Sequence, residues 1–261
     1  EQKRLDELRK ALAAKRQGTK KQAAPATPPA SSTNPADFGI ETLTDGYKIS
    51  GVQLDGLTCT YDLCQNPLPS RTQDQHAEHA KNAKPDEYRA CSAPLAYALC
   101  KTLYDNKDGS KKELVEQARA SLCGIIGPNK PWINTLSRVE WKANGLDKII
   151  HDYGLATSHE INAALIGPDG NITNKGTNAE EYAQKILETE NTVDEINTIF
   201  KWVTGKDVRA YRFNQTPEKD SARAVVLGVD YDDTFNLNAN DYLSYGGPAL
   251  GVRSAKNFSK Q

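Results

Sequence analysis

Methionine is absent from this 261-residue chain, so it offers no thioether to oxidise. No apolar stretch reaches the roughly 18 residues that a membrane-spanning helix requires, and no signal peptide is visible. Absent too are G-x-S-x-G, a Walker-type loop and G-x-G-x-x-G, which leaves the nucleophile-elbow, P-loop and dinucleotide signatures without a carrier. No segment recurs at a fixed period, which argues against a solenoid or propeller. The chain begins Glu1-Gln2, and Glu is too large for simple trimming of an initiator methionine, so an upstream segment is expected. Five cysteines are an odd number, so at least one thiol is free or intermolecular if any are paired. A reducing cytoplasm is the expected compartment.

What is present divides the chain by composition. Hydrophobic residues make up 38% and charged residues 26%, a balance polar for a globular protein yet too apolar for general disorder. Residues 1–22 hold eight Lys and Arg against three acids, whereas the remainder holds 25 basic against 31 acidic residues. Nucleic-acid contact is therefore expected only through the basic tail. Within the tail, Leu5, Leu8 and Leu12 form a narrow stripe suited to a coiled-coil seam or to docking on a protein partner or a second copy. Barely two heptads long, such a helix is marginal in water without a partner. Residues 23–37, with four prolines, have the composition of an extended linker. The folded body is expected to occupy residues 38–261.

Inside the body, helices are the best-marked elements. Pro94 suits a first helical turn, and Leu95, Leu99, Cys100 and Leu103 fall on one side of the helix that follows. Ser110 and Glu113 have capping-box spacing ahead of Leu114, Val115, Ala118 and Leu122, which predicts a helical hairpin. A second pair is expected from Thr177 and Glu180, and from Thr192 and Glu195, with Gly205 closing the last helix. Strand-like runs cover 133–141, 148–153, 163–173, 208–214 and 222–229. This order lacks regular βαβ alternation and predicts an α+β domain with a mixed or antiparallel sheet and two helical pairs, plus the N-terminal helical extension.

Several constellations carry possible chemistry. Cys59, Cys64, His76 and His79 follow C-x4-C-x11-H-x2-H, a ligand set chemically suited to zinc. The histidine gap is short for a zinc module, and Pro67 and Pro69 favour an extended path between the pairs, so cysteines acting as small buried hydrophobes and exposed helical histidines are the expectation. Arg138, Arg209, Arg212 and Arg223 lie on predicted strands; Arg209, Tyr211 and Phe213 sharing a face would suit an anionic or planar ligand, against the commoner outcome of surface ion pairs. His151 follows an apolar run, with Asp152 beside it but on the opposite strand face.

The run AVVLGVDYDDTF, residues 224–235, resembles the first motif of haloacid-dehalogenase-type phosphohydrolases over about a dozen residues. The resemblance implies a metal-assisted phosphohydrolase with Asp230 as nucleophile, Asp232 as acid/base and Mg2+ held in part by Asp230. Only 27 residues follow Thr234, short of the parallel sheet and later motif residues that the resemblance implies. The competing expectation makes Asp232, Thr234, Asn236, Asn238 and Asn240 the wet face of a strand whose Phe235, Leu237 and Ala239 point inward. A non-enzymatic interaction or structural protein is accordingly the first functional expectation, and the phosphohydrolase the second.

Overall fold

The computed structural model describes residues 38–164, 178–212 and 216–254. Leu5, Leu8, Leu12, Thr177, Phe213, the linker and positions 165–173 of the third strand-like run, all singled out in the sequence, lie outside these residues. The described chain is α+β, with five helices and thirteen strands in one antiparallel and one mixed sheet.

Strands β1 (Gly39–Thr42), β2 (Gly46–Leu54) and β3 (Leu57–Cys64) form an antiparallel meander. β13 (Gly251–Ser254) and β5 (Arg89–Ala90) complete that sheet, in the order β1-β2-β3-β13-β5. The second sheet centres on β6 (Ile133–Trp141), which pairs along its length with β10 (Ser221–Val229). Beyond β10 lie β11 (Phe235–Asp241) and, parallel to it, β9 (Val208–Tyr211). On the other side, β6 is shared between β12 (Gly247–Ala249), itself paired with β4 (Leu68–Arg71), and the β7 (Leu146–His151)–β8 (His159–Ala164) hairpin. Only Leu250 separates β12 from β13, so the chain steps from one sheet to the other there.

Helix α2 (Ala93–Asp105) touches β2 of the first sheet and β6 and β10 of the second. That position explains its sequence. Ten of its thirteen residues are buried, and Ala93, Ala96 and Ala98 are small enough for the sheets and helices to close on every side, where the sequence predicted a single apolar stripe. Around it pack α3 (Lys112–Ile126), α4 (Ala179–Leu187) and α5 (Val193–Thr204). Phe200 stacks on Phe235 with centroids 4.5 Å apart and meets Tyr97 at 5.5 Å, tying α5 to β11 and α2.

Caps decide the helix ends. Thr192 and Glu195 form the expected capping box, and Gly205 ends α5 in the left-handed region. Ser110 does not cap α3; the N-cap is Lys111, without a side-chain bond. A capping box that the sequence reading passed over, Thr72 with Gln75, starts α1 (Gln73–Asn82). α1 lies on β6, where Gln73 donates to the carbonyls of Thr135 and Ser137 and accepts from Arg138 Nε. This cover makes β6 buried on both faces.

Candidate functional site

After α3 the chain runs Gly127-Pro128-Asn129-Lys130-Pro131-Trp132 into β6, and the two prolines hold this link away from helix. The β6/β10 register, Ile133 opposite Leu227, brings Trp132 against Gly228. A Cβ on Gly228 would stand 2.5 Å from Trp132 Cδ1, and one on Gly247 would stand 2.5 Å from Tyr245 Cε1, so both rings seat on bare backbone. Trp132 Nε1 donates to the Val229 carbonyl at 3.3 Å, and Tyr245 Oη to the Trp132 carbonyl at 3.0 Å. Two rings are thereby fixed in place.

A third ring comes from the turn between β10 and β11. Asp230 N–H donates to Thr234 O and Asp233 N–H to Asp230 O, while Asp233 takes a left-handed φ of 62°. Tyr231 sits at the tip of this turn with its side chain fully in solvent. Trp132, Tyr231 and Tyr245, with Pro128, Pro131 and Asp230, line a cleft of about 750 Å3. Lys130 and Asp233 also line it, the latter paired with Lys206 at 2.5 Å. Asp230 Oδ1 accepts from Tyr231 N at 2.7 Å. Burial, with a smaller push from the Asp241 charge, raises the Tyr245 phenol above its usual range, so it stays protonated as a donor.

The resemblance to the phosphohydrolase motif meets a different geometry. Asp230 and Asp232 flank a tight antiparallel hairpin, and β10 runs antiparallel to both its neighbours. Asp230 lines the cleft, whereas Asp232 accepts from Arg209 and from the Thr234 hydroxyl, so the two carboxylates do not face one centre. The alternating-face expectation also needs correction: Asn236 and Asn238 are buried, because β11 lies between β10 and β9 and is covered on both faces.

Cys59 and Cys64 sit five apart on β3, on opposite faces, and both are free and half-buried rather than the buried hydrophobes expected. His76 and His79 share α1, but His76 is fully buried, which overturns the expectation of exposed histidines; its Nε2 lies 2.9 Å from the Gly247 carbonyl. Among the described residues, no three His, Cys, Asp or Glu side chains are grouped to hold a metal ion.

Arg212 and Arg223 share the Trp141 ring, whereas Arg138 and Arg209 have other partners. Arg138 lies 3.6 Å over the Tyr153 ring and bonds Gln73 and Asp74; Arg209, on β9 with Tyr211, meets Asp232. Arg223 is flanked by Trp141 at 4.7 Å and Tyr242 at 5.4 Å. Arg212, just past β9, is fully buried in a bidentate pair with Asp147, 2.5 and 2.9 Å, and lies 4.2 Å over Trp141. Tyr182 Oη donates to the same carboxylate at 3.0 Å.

His151 has the look of a catalytic base but not the access. Ser137 Oγ accepts from Ala93 N and lies 2.8 Å from His151 Nδ1, so its hydroxyl donates to that nitrogen, and Nε2 then donates to the Lys185 carbonyl at 3.0 Å. Both side chains are fully buried, and burial holds the imidazole below its usual pKa. Asp152 instead accepts from the Thr157 hydroxyl.

Compared with family models, curated proteins and solved structures, the chain matches none. Among the described residues, no helix is long and apolar enough to cross a membrane.

Proposed function

We propose that this protein is a non-enzymatic binding module whose aromatic cleft takes an extended, proline-containing peptide segment. The observation that carries the reading is the convergence of Trp132, Tyr231 and Tyr245 on one open cleft, two rings locked from behind and one presented bare to solvent. Exposed aromatic rings gain most when a partner covers them, and such rings dominate interface energetics. Proline rings in an extended segment pack on aromatic walls without a large ordering cost. A lining that includes both Asp230 and Lys130 matches the mixed charge of peptide side chains, which a neutral sugar would leave unmatched.

The basic N-terminal segment, outside the described residues, is proposed as a second contact, with Leu5, Leu8 and Leu12 meeting a protein partner or another copy. The five free cysteines fit the proposed reducing cytoplasmic setting.

The test is calorimetric titration with a short P-x-x-P peptide carrying one arginine, beside a scrambled peptide without proline and an oligosaccharide. Tyr231→Ala removes a side chain that packs on nothing, so the melting temperature should not move. Its affinity for the peptide should fall by the about 2 kcal/mol of a hot-spot residue, roughly 30-fold in Kd. Equal binding by wild type and variant, or a preference for the sugar, overturns the reading; Leu8→Asp checks the tail contact separately in sedimentation.

A further inference from the structure

Buried polar groups without a partner are rare in folded proteins, and each calls for an explanation. Here four such atoms gather at one corner, where β4, α1, β12 and β6 meet: Arg71 Nη1, His76 Nδ1, His79 Nδ1 and Asn134 Oδ1. Their proximity follows from strand pairing and hydrogen bonds rather than from nearness in sequence. Arg71 is the cross-strand partner of Gly247, and Asn134 that of Ala249 two residues on. His76 Nε2 reaches the Gly247 carbonyl at 2.9 Å, and Asn134 Nδ2 reaches the Arg71 carbonyl at 2.9 Å and that of Tyr245 at 3.0 Å. His79 follows His76 by three residues on α1 and shares its face.

Hydrogen bonds already made, and the chemistry of guanidinium, fix what three of the four atoms can do, while His79 Nδ1 accepts or donates according to its tautomer. Because carbonyls only accept, Asn134 spends both amide hydrogens on them, and its Oδ1 is left as an acceptor. The same logic puts the His76 hydrogen on Nε2, so Nδ1 presents a lone pair while the ring is neutral. Arg71 Nη1 can only donate. Burial, helped by the Arg71 charge, holds both imidazoles below their usual pKa, so they are neutral at neutral pH. His76 and Asn134 are fully buried.

Arg71, a guanidinium with no carboxylate partner among the described residues, repels a cation, which argues against a metal despite the two imidazoles. A bare anion would satisfy Arg71 but face the lone pairs of His76 and Asn134. An oxyanion that keeps a proton meets both demands, accepting from Arg71 and donating to the acceptors. We propose that Arg71, His76, His79 and Asn134 form a binding site for a small protonated oxyanion, of which inorganic phosphate is the simplest. The site is separate from the aromatic cleft, though Tyr245 borders both.

The experiment uses the full chain at neutral pH, where phosphate keeps at least one proton and sulfate keeps none. Melting temperature is measured against inorganic phosphate, sulfate and chloride at matched ionic strength, with His76 ring nitrogens followed by NMR. Phosphate should raise the melting temperature with the logarithm of its concentration, as linkage requires of a ligand that binds only the folded state, and should shift the His76 Nδ1 resonance. Sulfate should give neither effect. Arg71→Met, at a half-exposed position where the stem is preserved, should fold and lose the phosphate response. Identical melting in all three salts would mean that the corner holds ordinary water and would overturn the proposal, as would a sulfate response equal to that of phosphate or an Arg71→Met response equal to wild type.

Discussion

Asp147→Asn is the most telling single change in the interior. Asp147 and Arg212 are both fully buried, and their two hydrogen bonds are joined by one from the Tyr182 hydroxyl and one from Lys142 N–H at 3.3 Å. On one side the guanidinium is backed by the Trp141 ring. Asparagine keeps the volume but removes the charge, so the cation loses its bidentate carboxylate far from water. Breaking a buried pair in this one-sided way costs about 3–5 kcal/mol. For a domain of this size each kcal/mol moves Tm by about 2–4 °C, which places the loss at roughly 6–20 °C.

Urea denaturation of wild type, Asp147→Asn, Arg212→Met and the double variant Asp147→Leu/Arg212→Met separates the charge from the packing. The double variant should be more stable than either single one, because no charge is left stranded and the apolar replacements fill the same space. A loss below about 1 kcal/mol for Asp147→Asn, or a double variant no better than the single ones, would refute the reasoning.

Leu99→Ala and Phe200→Ala, at positions fully buried in the helical layer, should cost about 2–5 kcal/mol each by chemical denaturation, with Phe200 toward the upper end because its ring also stacks on Phe235. Burial pulls the His159 pKa down, but its hydrogen bonds to Glu188 and the Thr157 carbonyl, together with the Glu188 and Asp152 charges, outweigh this and raise it. The stability that this contact contributes is therefore present below about pH 6.5 and lost as pH rises through the raised folded value. A pH series of melting curves should show that slope in wild type and its flattening in His159→Gln.

Local signals were legible where the physics is local. The Thr192–Glu195 box, Gly205 and the bounds of β6 each depend on a few neighbouring residues, and each is found where the sequence places it. Other local signals were passed over: Asp55-Gly56 joins β2 to β3, with φ of 50° and 70°, between two alternating runs that the sequence reading left unassigned. Ser110 shows the converse. Its spacing to Glu113 is right, yet the helix starts later, at Lys112.

The misreadings with consequence share one cause, a second layer that no short window contains. INTLSRVEW reads as a strand, but nothing in it shows that both faces are covered: Leu136 packs with Ala77 and Ala80 of α1, Thr135 and Ser137 bond the Val225 carbonyl and the Ala93 N–H, and Asn134, Thr135, Ser137 and Arg138 are all buried. His76 was placed in solvent for the same reason, since nothing in QDQHAEH shows that the carbonyl of Gly247 waits 171 residues away. The cleft is the extreme case. Trp132, Tyr231 and Tyr245 stand in three separate loops, and what gathers them is the β6/β10 register together with the return of β12 alongside β6. One sign was nevertheless present in the sequence: a tyrosine inside an acidic hairpin turn, DYDDT, packs on nothing, and a ring spared from the core at a turn tip is better explained by a partner than by the fold.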